Sequence, residues 1–274
     1  MRKPLFFITI IFSGLMLTFC SEPGGQPGVR QVSVSRTVEI PLQIYAAEGA
    51  ALDPQTLTAT AGAEDELPQG PASFDVLPDG GFVISDPLRE RLVYYDSMGK
   101  FIREEALGAA AGSVRFLEGE ARFEMLYGDE VFRVNAQRQV EPLESQLLQP
   151  ETPARRLGGS EGIVIRSAPE QGAPDTLQIQ WKSDTETLVS LQNLGADAGG
   201  NSYVALEVSS GGDPIQIRKI IRKYDSTGNV SARIEDISLD YFALPIDQFR
   251  VKDGRVYQMA LEQDKAVIYV WDTN

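Results

Sequence analysis

The sequence predicts an all-β fold: a β-propeller of four-stranded antiparallel blades, five in number, closed into a ring by an N-terminal strand at 37–45. Three observations carry this expectation. Residues 71–105, PASFDVLPDGGFVISDPLRERLVYYDSMGKFIREE, read as four short apolar runs joined by three tight turns. The turn Tyr95-Asp96-Ser97-Met98-Gly99-Lys100 returns as Tyr224-Asp225-Ser226-Thr227-Gly228-Asn229, and the two aspartates stand 129 positions apart, three steps of 43. Propeller blades recur about every 40–45 residues. Finally, 25 Gly and 16 Pro in 274 residues suit a loop-rich all-β chain and fall short of a low-complexity one.

Taken in order, the chain begins with MRKPLFFITIIFSGLMLTFC. Arg2 and Lys3 form a positive start, and 5–17 is an apolar stretch too short for a spanning helix, which needs about 20 residues. Cys20, the only cysteine, follows directly. The segment resembles a bacterial lipoprotein signal peptide: Leu17 and Thr18 match its lipobox, and Phe19 departs from the usual small residue. The resemblance implies cleavage before Cys20, acylation of that cysteine with palmitate-class chains, and a membrane anchor. Each buried CH₂ contributes about 0.8 kcal/mol, so two or three chains hold durably. In bacteria that sort lipoproteins by the next position, Ser21 resembles an outer-membrane address, with the folded part on the periplasmic or outer side. Residues 1–20 are thus read as signal peptide, 21–36 as a Gly/Pro/Ser tether and 37–274 as the propeller.

Within the body, Phe74-Asp75-Val76-Leu77 alternates and stops at Asp79-Gly80, a strong hairpin signal. Phe82-Val83-Ile84 and Leu92-Val93-Tyr94-Tyr95 read as inner strands covered on both faces, and the more polar 100–104 as the outer edge. Blade two is expected at 114–117, 121–127, 130–134 and 139–143, its central hairpin turning at Gly128-Asp129. Blade three takes 162–166, 176–181 and 186–191, with 155–157 as a fourth strand. Blade four takes 194–196, 202–208, 217–224 and 229–234. The last blade has 247–251, 255–261 and 265–271, and 37–45 supplies its missing strand, which removes the open edges. Six blades follow instead if 46–70 or 144–160 hold further strands.

With these residues in view, Phe74-Asp75-Val76-Leu77-Pro78-Asp79-Gly80-Gly81-Phe82-Val83-Ile84-Ser85-Asp86, followed by Arg91-Leu92-Val93-Tyr94-Tyr95-Asp96, resembles an NHL-type propeller repeat. The match is good over 71–105, fair over 194–234, partial over 246–271 and poor over 110–192. The resemblance implies an architecture and is nearly silent on activity.

Composition narrows the chemistry. The chain has no histidine and one cysteine, which removes Ser-His-Asp and Cys-His nucleophile systems, His-bearing metal sites and intrachain disulfides. Neither a phosphate-cradling Gly loop nor a calcium loop is present, so no cofactor or metal is expected. A net charge of −14 disfavours nucleic acid. Long connections at 106–113, 144–154, 167–175, 209–214 and 235–245 should gather on one face, opposite the Asp-Gly turns, and loops on a rigid scaffold are where binding concentrates. Candidate contact residues there are Asp86, Arg89 and Arg91 at the blade-one turn, with Glu170, Asp175, Asp213, Glu235, Asp236 and Asp240. The expected function is a monomeric, membrane-anchored platform for an envelope protein or peptide, without enzymatic activity. The alternatives are a carbohydrate-binding or carboxylate-based glycan-active propeller, which needs two carboxyls about 5–9.5 Å apart, and a small-ligand sensor.

Overall fold

The computed structural model describes residues 28–45, 51–62, 66–128, 130–143, 154–158, 161–165 and 176–274. Cys20, Glu170 and Asp175 lie outside them. The described strands form five sheets.

Blade one is β4 (Ser73–Val76), β5 (Phe82–Asp86), β6 (Arg91–Tyr95) and β7 (Phe101–Ala106), an antiparallel meander in the expected register. Blade two is β8 (Ala111–Leu117), β9 (Glu120–Met125), β10 (Val131–Val134) and β11 (Val140–Leu143). The third sheet holds β12 (Ala154–Gly158), β13 (Glu161–Ile165) and β14 (Thr176–Gln180). The fourth holds β15 (Glu186–Ala196), β16 (Ser202–Ser210), β17 (Gln216–Tyr224) and β18 (Val230–Ile234). The fifth runs β19 (Phe249–Lys252), β20 (Arg255–Leu261), β21 (Lys265–Asp272) and then β2 (Arg36–Ile44). The ring therefore closes as expected: Arg36 pairs with Val270, and the ladder continues to Pro41 opposite Lys265.

Two N-terminal pieces add a fifth strand to an outer edge. β1 (Arg30–Val32) lies parallel to β18, and β3 (Leu57–Ala59) parallel to β2. Residues 30–32 thus belong to the body, although their polarity suggests tether. The stretch 46–70 does hold a strand, but it extends the closing sheet and does not build a sixth blade.

The boundary between the third and fourth sheets also differs from the sequence expectation. Residues 186–191 and 194–196 are one strand, β15, paired with β16 along its whole length. Two bulges, between Leu188 and Ser190 and between Asn193 and Gly195, absorb the register shifts, and Gly195 (φ +105°) supplies one of them. A bulge breaks the alternation of side chains, so one strand reads as two.

The hydrophobic cores lie between blades. Ile40, Leu57, Phe74, Phe82, Tyr257 and Ile268 pack between the closing blade and blade one. Val83, Leu92, Ala111, Val114 and Phe123 fill the gap between blades one and two. Leu177, Ile179 and Trp181 pack on Leu188, Val204 and Ile220. Tyr203, Ile221, Phe249 and Trp271 join blades four and five. A sheet covered on both sides explains the continuous apolar runs of β5 and β6, in which every residue is buried.

Candidate functional site

Alternating strand direction sends the connections to two opposite ends. One end, the turn face, carries the hairpins at 77–81, 96–100, 118–119, 135–139, 197–201, 225–229 and 253–254. Their geometry repeats. At 96–100 the carboxylate of Asp96 accepts from the N–H groups of Met98 and Lys100 (both 2.9 Å), while Gly99 N–H donates to the Asp96 carbonyl. Asp197 and Asp225 do the same. So does Asn135, with Arg138 (φ +61°) in the glycine position. This is a worn copy in blade two that the sequence pattern conceals. These groups spend their hydrogen bonds on the turn itself.

The opposite end, the loop face, holds the candidate residues. Asp86 and Arg91 are buried, at 0% and 3% exposure, and face each other at 2.9 Å. Arg91 also donates to the carbonyls of Pro54 (2.8 Å) and Thr56 and pairs with Glu104. Arg89 donates to the Asp53 carbonyl (3.0 Å). Together they clamp the segment leading into β3 onto blade one. Burial pushes the Asp86 carboxyl above its ordinary pKa, and Arg91 partly offsets this.

Glu235 pairs with Arg218 (3.2 Å) and with Arg233. Asp236 accepts from the Val34 N–H (2.9 Å) and the Trp271 indole N–H (2.7 Å), fixing the crossing from β1 to β2. Asp213 and Asp240 stand exposed. The structure therefore does not bring the candidates into one cluster. Among the described residues, no group of three or more acidic or cysteine side chains is arranged to hold a metal ion.

Two polar networks lie where the sequence pattern gave no signal. Arg250, 7% exposed, reaches from β19 across the ring. It donates to Ser73 Oγ (2.9 Å), Asp247 Oδ2 (2.9 Å), the Val114 carbonyl (3.3 Å) and its neighbour's carbonyl at Phe249 (2.7 Å). It thereby joins the inner strands of blades five, one and two. Beside it Asp75 accepts from the N–H groups of Val76 and Phe116, yet burial raises its pKa.

The second network runs between blades four and five. Ser190 Oγ donates to Glu207 (2.6 Å), and Lys219 Nζ lies 3.2 Å from both Glu207 and Gln248. The Tyr241 hydroxyl donates to Gln248 (3.2 Å) and accepts from Gln258 (2.8 Å). Burial works against the Glu207 charge, but the hydrogen bonds from Ser190 and Lys219 outweigh it and hold its pKa low.

The loop face differs from the turn face in apolar exposure. Leu67 (84%), Ile215 (69%), Leu244 (67%), Ile246 (57%), Ile217 and Leu239 project from it, as does Tyr127 on the blade-two turn. The turn face shows Met98 and Leu117. The signal for this asymmetry was in the sequence, as isoleucines and leucines inside connections, but a connection's residues can equally be buried.

No family model matches the chain, and no curated protein matches it. Solved structures do show likeness. Virginiamycin B lyase from Staphylococcus aureus is 12% identical, with a TM-score of 0.37, over 73% of this chain and 94% of that one. BamB from Moraxella catarrhalis is 10% identical, with a TM-score of 0.35, over 88% and 99%. The gluconolactonase XC5397 from Xanthomonas campestris is 11% identical, with a TM-score of 0.36, over 87% and 98%. Enzymes and a protein not described as an enzyme stand side by side here, and at such scores none of them bears on activity. The described sheets establish a five-bladed β-propeller by their own pairing.

Proposed function

We propose that this protein is a lipid-anchored component of a bacterial cell envelope, held at Cys20, whose propeller offers its loop face to another protein or peptide. The observation that carries the reading is the one-sided exposure of large apolar side chains at that face. Contiguous exposed apolar surface on a soluble domain is costly to leave uncovered and marks interaction sites. The rigid ring beneath it, with its inter-blade cores and the Arg250 bridge, suits a platform whose shape does not adapt.

A binding module fits the carboxylates better than catalysis does. Asp75 and Asp86, whose pKa burial raises above the ordinary value, already accept hydrogen bonds from backbone N–H groups or Arg91 inside the packing. A catalytic pair would need carboxyls open to a substrate.

The test is affinity capture from a native envelope with the chain from residue 21 onward. Wild type, the double variant Leu244→Asp/Ile246→Asp, and the turn-face control Met98→Asp are compared. A defined protein retained by wild type and control and lost from the double variant is expected. Glycan binding with no protein partner, or a partner equally held by the double variant, overturns the reading.

A further inference from the structure

The apolar loop face carries a second property, its charge. Three segments supply its exposed aliphatic side chains: 66–72, 211–217 and 235–248. They contain Glu66, Asp213, Glu235, Asp236, Asp240 and Asp247, and not one Lys or Arg. Glu235 and Asp247 are neutralised by Arg218, Arg233 and Arg250. Glu66, Asp213 and Asp240 meet no cation within ion-pair distance among the described residues. The turn face carries Lys100 and Arg138 beside the turn residues Asp96, Asp197, Asp225 and Asp253.

The segments are neighbours in space. Asp247 N–H donates to the Ala72 carbonyl (3.1 Å), and Gly70 packs against Leu261 and Ala243. Leu67 and Leu244 therefore rise from adjoining stretches. On β17, Ile217 shares a side with Lys219, since side chains two apart along a strand point the same way. Lys219 is held by Gln248, two residues after Ile246. Ile217 and Ile246 thus stand over the same junction of blades four and five.

The chain's own entry point bears on one occupant, a bilayer. β1 starts beside the turn face, where Arg30 donates to the backbone oxygen of Asn274 (2.6 Å) and Asn274 caps the Asp253-Gly254 hairpin. The ten Cα steps from Cys20 to Arg30 span at most about 33–36 Å fully extended. The nine-residue strands β16 and β17 are themselves about 30 Å long. A bilayer anchored at Cys20 would reach over the loop face only with this tether drawn to nearly its full length.

Resting on the platform reading above, we propose that the loop face over blades four, five and one docks a basic amphipathic protein segment. Its apolar side would cover Leu67, Ile217, Leu244 and Ile246, and its Lys or Arg side chains would meet Glu66, Asp213 and Asp240. Apolar contact supplies affinity, and the unpaired carboxylates supply orientation and selection against acidic partners.

The probes are two synthetic peptides of equal length and charge, one of repeating Lys and Leu and one of repeating Lys and Ser, titrated into the chain from residue 21 by fluorescence anisotropy. The Lys/Leu peptide is expected to bind at least tenfold more tightly. The exposed triple variant Ile217→Ser/Leu244→Ser/Ile246→Ser should abolish that difference. Asp213→Asn/Asp240→Asn should weaken binding about two- to fivefold and flatten its salt dependence, and Met98→Ser should change nothing. Equal binding of the two peptides, or an unaffected triple variant, overturns the proposal. Binding of anionic vesicles through the same residues assigns the face to a bilayer and overturns it as well. If the envelope partner is lost from Leu244→Asp/Ile246→Asp while neither peptide discriminates, the platform reading stands and the partner's chemistry is not basic and amphipathic.

Discussion

Asp197 illustrates how much one turn residue carries in this fold. Its side chain is 6% exposed and accepts from the N–H groups of Gly199 and Asn201, the Asn201 amide (3.0 Å) and the Tyr203 hydroxyl (2.8 Å), with Lys223 Nζ at 3.6 Å. Burial opposes its charge, yet the bonds from Asn201 and Tyr203 outweigh that and hold the carboxyl below its ordinary value of 3.8. A carboxyl depressed in the folded state adds stability that is full above the unfolded pKa and is lost as pH falls through the folded one. Asp197→Ala should therefore destabilise by about 1–3 kcal/mol at neutral pH. The gap from wild type should narrow as pH drops below 3.8, measured by urea unfolding across pH 2.5–7 (about five points spanning the titration of an aspartate). A gap independent of pH would show that the charge is not what the turn needs. The same local chemistry made Asp96 and Asp225 legible in the sequence. It hid the blade-two copy, because Asn135 accepts the same bonds and Arg138 tolerates a left-handed φ of +61° without leaving a glycine to read.

At the scale of elements, ring closure depends on a close approach that no periodicity reveals. Gly99, on the blade-one turn, lies against β2: a Cβ there would sit 2.6 Å from the Glu39 carbonyl oxygen and 2.9 Å from Val38. Gly80, on the neighbouring hairpin, has a similar φ of +83°, but a Cβ would meet nothing nearer than 3.8 Å. Both positions penalise an L side chain for its backbone alone, by about 1–2 kcal/mol. Only Gly99 must also displace the closing strand, which adds overpacking of about 1–3 kcal/mol. Gly99→Ala should consequently lower the denaturation midpoint at least twice as far as Gly80→Ala, in chemical unfolding monitored by tryptophan fluorescence. Equal losses would mean that β2 yields freely at this contact. The strand itself was legible, because Val38, Ile40 and Leu42 alternate with Thr37, Glu39, Pro41 and Gln43. β1 and β3 were not: three residues each, they show no pattern, and only the unpaired edges of β18 and β2 give them a place.

At the scale of the whole molecule, the proposed anchor at Cys20 is tested apart from the loop face. Cys20→Ala, expressed in a Gram-negative host, should move the protein from the membrane fraction to the soluble periplasmic fraction and remove acyl labelling, without changing the fold from residue 28 onward. An unchanged membrane fraction with no labelling difference would reject the anchor. The candidate residues were chosen for charge, and the fold disposes of them unevenly. Asp86, Arg89 and Arg91 clamp a segment, Glu235 and Asp236 lock strands, and Asp213 and Asp240 stand exposed at the loop face. The sequence by itself determined what depends on neighbours a few positions away: the aspartate–glycine turns, the doubly covered strands and, through their spacing, the propeller class. Only the tertiary structure decided that 186–196 is a single strand, that Arg250 ties three blades together, and that Leu67, Ile215, Leu244 and Ile246 are left bare on one face. Turns are satisfied by bonds within four residues, whereas burial, edge pairing and exposure are set by which blades the closed ring brings together.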